Sequence, residues 1–238
     1  MIVDILPHPE ISFREVTGVD QHKIVVVDGL LRDVDEVRAW ALSARYSKPA
    51  EVLYPGLVCH PPWDFGPLRL FLEQVIGCRF RASEATFRLS MLTLDGEHLV
   101  PQQRRPHADG CMAAGVIYLN SPEQCSGGTA FYRHATTGFE WLPQPDNARH
   151  EAHAAAIGLS LPQIESMLTT VSPHSSGYMR DSDADWQLLE LVEMRTNRLV
   201  LYEGDLFHSA YVDDRAFGTT PDTRRLTLNI FLDPLGAP

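Results

Sequence analysis

The segment Arg224-Arg-Leu-Thr-Leu-Asn-Ile-Phe-Leu232 alternates without a break. Leu226, Leu228, Ile230 and Leu232 share a face with Arg224, and Thr227 and Asn229 share the other with Arg225. Successive side chains of an extended chain point to opposite sides. The segment is therefore a strand with one apolar and one polar face, and the apolar face must be covered by a second layer. Four more stretches read the same way: Phe87 to Leu94, Ala113 to Asn120, Thr129 to Arg133 and Asn197 to Tyr202. Turn signals such as Asp95-Gly96 separate them. Short strands punctuated by turns predict an antiparallel β-sandwich or barrel.

The first 85 residues read differently. Lys23 to Asp28 is a short buried strand. Asp33 and Glu36 form a capping-box-like pair ahead of Val34, Val37 and Ala41, which predicts a helix. Leu68, Phe71, Leu72, Val75 and Ile76 make a second helical stripe, and Gly77 is a natural stop. Between Trp141 and Asn197 helix signals return: Ser160 pairs with Gln163, and Pro162 falls in a first turn. Asp185 to Glu193 reads as one more helix. The expected organisation is one domain over 1–238, with a strand and supporting helices in 1–85. A β core occupies 86–140 and 198–238, and a helical insertion, 141–197, is placed to act as a lid.

The formal net charge of -11 disfavours a nucleic-acid partner, because an acidic surface repels phosphate. Cys59, Cys78, Cys111 and Cys125 form no Cys-x-x-Cys pair, so reduced thiols in a cytoplasmic protein are expected. The start MIVDILPHPE lacks the basic and apolar regions of a signal peptide. No apolar run is long enough for a membrane-spanning helix.

His107-Ala108-Asp109 carries the chemistry. Residues at i and i+2 of an extended chain point to one side, so one imidazole and one carboxylate face a common point. A second histidine would complete two histidines and a carboxylate on one face of a metal, leaving three positions open, the arrangement of non-haem iron(II) oxygenases. The tripeptide alone is common in proteins of every kind. Its sequel makes it specific: Gly115-Val-Ile-Tyr-Leu-Asn120, then Gly127-Gly-Thr-Ala-Phe131. In order and spacing this resembles the prolyl-4-hydroxylase-like branch of the 2-oxoglutarate- and iron(II)-dependent oxygenases. The resemblance runs from about Thr86 to Leu232, the insertion excepted. It is closer still to a bacterial branch with an Arg-Arg-Pro-His-x-Asp approach, here Arg104 to Asp109.

The resemblance implies a double-stranded β-helix (jelly roll, cupin-like), mainly β with flanking helices. It implies Fe(II) held by His107, Asp109 and His208. His208 follows the strand Arg198 to Tyr202 and the turn Glu203-Gly-Asp205, where the family has its distal histidine. His134, His150, His153 and His174 do not occupy that place. The resemblance further implies that 2-oxoglutarate is gripped by Arg225, with Thr227 and Tyr118 adding hydroxyls. Alternation selects Arg225 over Arg224, although the interval from His208 is longer than in the family. O2 would be the third reactant, succinate and CO2 the coproducts, and hydroxylation of an amino acid, peptide residue or small natural product the outcome. A zinc-dependent hydrolase built on the same three ligands, or a non-catalytic binding protein that keeps the fold, are the competing readings. Neither oligomeric state nor substrate can be read from these residues.

Overall fold

The computed structural model describes residues 1–238 apart from 17, 19–21, 50–53, 146, 171–176, 214–219 and 235–238. Two antiparallel sheets lie face to face. The strands are β1 (Glu10–Glu15), β2 (Lys23–Asp28), β3 (Gly56–Cys59), β4 (Phe80–Leu92), β5 (Ala113–Tyr118), β6 (Gly128–His134), β7 (Trp186–Glu193), β8 (Leu199–Glu203), β9 (His208–Tyr211) and β10 (Leu226–Pro234). The larger sheet has the order β1-β2-β8-β5-β10-β4-β3, and the smaller β7-β6-β9. A single bridge, His107 to His208, adds the segment around His107 to the free edge of β9. From β4 onward the chain thus crosses between two layers of four: β4, β10, β5 and β8 in one, the His107 segment, β9, β6 and β7 in the other. That is the jelly roll expected from the sequence. β1, β2 and β3 extend the larger sheet at its two ends.

β10 shows how sequence becomes architecture. Leu226, Leu228, Ile230 and Leu232 are fully buried under the helices α1 (Val34–Ser43) and α2 (Gly66–Ile76), with Val37, Ala41, Leu68 and Leu72 opposite. Removing one such side chain from water contributes about 1.5–3 kcal/mol. The other face of β10 turns toward the smaller sheet. α2 stops at Gly77, whose φ of 79° is open to a residue without a Cβ. Arg198 is 2% exposed and grips Asp28 through two hydrogen bonds of 2.7 Å, fastening β8 to β2.

The helical insertion is only partly helical. α3 (Ala148–Ala156) and α4 (Leu161–Thr169) form as expected, and the Gln163 side chain accepts from the Ser160 N–H at 2.9 Å. Asp185 to Glu193 does not form a helix; its core is β7, paired with β6. The reason is a bulge. Register shifts between Phe131 and Tyr132, so Leu189 is an extra residue on β7. Trp186, Leu188 and Leu191 then lie on the outer face, and Leu189 and Val192 on the inner. The resulting three-residue spacings imitate a helical stripe. The jelly roll accordingly starts at Phe80 and draws one strand from within 141–197.

α3 and α4 pack on the outer face of the smaller sheet. Ala154, Ile164 and Leu168 meet Ala130, Tyr132, Trp186 and Phe207 there. α3 and α4 thus brace the back of the smaller sheet and do not cover the barrel mouth. The polar run Ser172 to Gly177, His174 included, falls outside the described residues up to position 176. So does most of the long interval before Arg225, at 214–219. Among the described residues, no helix is long and apolar enough to cross a membrane. The four cysteines are free thiols.

Leu228→Ala should lower unfolding stability by about 3 kcal/mol in a denaturant titration, a full-sized cavity cost at a site with no room to collapse. Leu70→Ala, on the 53% exposed face of α2, should change it by less than about 0.5 kcal/mol.

Candidate active site

His107 and His208 are direct partners across the bridge: each N–H donates to the other's carbonyl at 2.9 Å. Residues opposite each other in an antiparallel pair project to the same face, so the two imidazoles stand together, ring centres 4.5 Å apart. Asp109, two residues on, returns to that face. Its N–H donates to the Gly204 carbonyl at 2.7 Å, and the Gly204 N–H donates to the Met112 carbonyl at 3.2 Å. Gly110, at φ 67°, turns the loop between these contacts. A Cβ on Gly204 would lie 2.3 Å from the Cys111 carbonyl, so only glycine allows this closure.

One ligand atom from each of His107, Asp109 and His208 lies within 4.8 Å of the other two. The buried His208 has its Nδ1 2.8 Å from the Leu206 carbonyl. A carbonyl only accepts, so Nδ1 carries a proton, and Nε2 is aimed at the Asp109 Oδ2, 3.3 Å away. His107 Nε2 stands 3.7 Å from Oδ1 of the same carboxylate. Although 45% of the His107 side chain is open to solvent, desolvation by the surrounding protein, together with the neighbouring His208 and against the pull of Asp109, pushes it down to about 4. Burial works to raise the Asp109 carboxyl, but His208, His107 and Arg88 outweigh it and hold it below its usual value. Two imidazole nitrogens and a carboxylate converging on one point could hold a metal ion between them.

The triad opens into a cavity of about 470 Å³ between the sheets. The wall opposite comes from the larger sheet, where Arg225, just ahead of β10, and Thr227, Asn229 and Phe231 of β10 all face inward. Arg225 is 7% exposed, with its guanidinium 5.1 Å above the Tyr118 ring. Arg224 does not line the cavity. The Thr227 hydroxyl donates to Asn229 Oδ1 at 2.7 Å. Tyr118 departs from expectation: its hydroxyl is 2.7 Å from Thr129 Oγ1 and its ring lies beneath Arg225. It supports the guanidinium from below and does not reach into the cavity, because the fully buried ring has no room to turn.

Three of the other candidate histidines have structural partners. His134 is 2.9 Å from the Thr137 hydroxyl, His150 accepts from the Gln144 N–H at 2.8 Å, and His153 donates to the Thr137 carbonyl at 2.9 Å. Arg104 and Arg105 donate to the carbonyls of Leu99 and Leu168, and Arg133 to Gln187. Three cavity residues went unread in the sequence. Tyr202 packs its ring 4.6 Å from His208. Tyr54, whose phenol burial pushes up to about 12, lines the cavity. Arg88 lies on β4 in register with Asn229. The alternation that selects Arg225 was available for Arg88 too, since Leu89 and Met91 are its buried neighbours.

Residues 7–232 match the model of a family of unknown function, DUF6445. The chain belongs to that family. No curated protein matches this DUF6445 member. Among solved structures it is similar to HygX from Streptomyces hygroscopicus, crystallised with nickel and 2-oxoglutarate bound. The two share 16% identity over 91% of this chain and 84% of that one, with a TM-score of 0.46.

An unfolded histidine takes up its proton near pH 6.5, His107 in the fold only near 4. What this residue contributes to stability is therefore complete above 6.5 and disappears as pH falls toward 4. Melting of the metal-free protein across that interval should show a falling Tm, and the fall should be shallower in His107→Ala.

Proposed function

We propose that the chain is a 2-oxoglutarate- and Fe(II)-dependent dioxygenase that hydroxylates an unactivated C–H bond of an amino acid, peptide residue or small natural product. One observation carries the reading. A triad of two histidines and a carboxylate on one wall of a cavity faces a buried arginine on the other. The three residues fit a metal because one ligand atom from each converges within 4.8 Å of the other two. Two histidines and a carboxylate on one face suit Fe(II) and leave positions for a chelating cosubstrate and oxygen. Iron(II), 2-oxoglutarate and O2 together supply the oxidising power, with succinate and CO2 as coproducts.

The chain's own residues supply position. The Leu206 carbonyl fixes the His208 tautomer and so keeps Nε2 available to the metal. The N–H bond to Gly204 holds Asp109 on the same side as the histidines. Arg225 grips the far carboxylate of the cosubstrate, and burial strengthens that charge-assisted pair. Tyr118 keeps the guanidinium in place. Thr227 and Asn229 offer a hydroxyl and an amide beside it. The apolar inner faces of β5, β6 and β8 exclude water from the reacting end.

Asp109→Ala should abolish Mn(II) binding in a calorimetric titration and leave no succinate formation above background. Arg225→Ala should weaken 2-oxoglutarate binding to the anaerobic Mn(II) form by about 10–100-fold, the loss of one charge-assisted contact. Arg224→Ala should weaken it by no more than about twofold, being outside the cavity. Equal losses from the two arginines would refute the assignment of Arg225.

A further inference from the structure

Among the described residues the cavity is lined by two arginines, and the function proposed above uses only Arg225. Arg88 lines the same space. It sits in register with Asn229, whereas Arg225 lies opposite Leu92, whose N–H donates to the Arg225 carbonyl at 3.0 Å. The two arginines are thus four residues apart along the strands, about 13 Å at ~3.3 Å per residue. The rings beside the two guanidinium groups keep the same spacing: Arg225 lies over Tyr118, which pairs with Thr227, and Arg88 lies over Phe231.

That length is chemically specific. A bidentate guanidinium–carboxylate pair sets its two carbons about 4 Å apart. Four C–C bonds of ~1.5 Å separate the carboxylate carbons of a five-carbon diacid by about 5 Å. From guanidinium to guanidinium across such a diacid is therefore about 13 Å, the separation of Arg225 and Arg88. The ends also match. Phe231 lies in register with Ala114 and Ala114 with Tyr202, whose ring is 4.6 Å from His208, so the guanidinium over Phe231 meets the carboxylate beside the triad. That guanidinium is held between two rings, 5.1 Å from the Phe231 centre and 5.8 Å from that of Tyr54, which limits its motion before any ligand arrives.

We infer that Arg88 takes the second, triad-side carboxylate of the cosubstrate, so that Arg88 and Arg225 form a two-ended clamp selecting a five-carbon dicarboxylate by length. This rests on the cosubstrate reading above and adds the residue that reads the near end. A carboxylate on the substrate to be oxidised is the other source of the same chemistry, and the titrations separate the two.

The test is calorimetric titration of wild type, R88Q, R88K and R225Q, each Mn(II)-loaded under nitrogen and each metal-free. The probes are 2-oxoglutarate and the plain diacids succinate, glutarate and adipate, with four, five and six carbons. In wild type, glutarate should bind about tenfold more tightly than succinate or adipate. R88Q should weaken 2-oxoglutarate and glutarate by about tenfold or more, with or without metal, and flatten the length preference to within about twofold. R88K, which keeps the charge and loses the fork, should fall between and guards against a misfolded R88Q. If R88Q and R88K bind 2-oxoglutarate like wild type while R225Q loses about tenfold, Arg88 does not serve the cosubstrate and the inference is overturned. If the wild-type Mn(II) form binds neither 2-oxoglutarate nor glutarate, the cosubstrate reading itself fails, a result distinguishable from the first.

Discussion

The backbone pair between His107 and His208 is the contact on which the site depends. It is only two hydrogen bonds long, yet among the described residues it is the sole bridge between the His107 segment and β9. Without it the loop carrying Asp109 has no fixed relation to the smaller sheet. With it, two imidazoles from positions a hundred residues apart are opposed by the geometry of an antiparallel pair and not by side-chain packing. The closure of Asp109 on Gly204 completes the arrangement, so the precision of the triad is a property of the main chain. Preorganisation of that kind costs nothing when a ligand arrives.

β10 couples the fold to the site in the same direct way. Its even-numbered leucines and isoleucine fill the layer under α1 and α2, and its odd-numbered residues line the cavity. A slip of one residue would exchange the two sets, placing Arg225 in the apolar layer and Leu226 in the cavity. The cost of burying an unpaired guanidinium forbids that slip. The core therefore enforces the register that points Arg225 inward, and Arg225 in turn penalises any other register.

Much of this was legible in the sequence, for a physical reason. Strict alternation in Arg225 to Leu232 and the His-x-Asp spacing are local signals, set by the two-residue period of an extended chain. They locate the wall that carries Arg225 and the loop that carries Asp109. What escaped reading was nonlocal. Leu189 bulges because β7 must match β6, where Phe131 pairs with Glu190 and Tyr132 with Leu188, and that bulge disguised a strand as a helix. The position of α3 and α4 behind the smaller sheet follows from which face of β6 is apolar, a fact settled only when β7 is known to be a strand. Tyr118 satisfied its hydroxyl through Thr129, a partner no spacing rule identifies. Arg88 was missed although its alternating neighbours were visible, because a lone arginine on a strand is usually a solvated charge.

The packing of α3 and α4 on the back of the smaller sheet divides the molecule into a part free to vary and a part that is not. No described residue of 141–197 lines the cavity, whereas Tyr54, Pro55, Thr86 and Arg88, all upstream of the triad, do. Lengthening or shortening the helices would alter how firmly the sheet is braced and leave the reacting groups where they are. Changes around Tyr54 and along β4 would reshape the mouth itself. Diversification of what enters such a cavity is thus written in the first ninety or so residues, in a region whose helices look, on their own, like mere support.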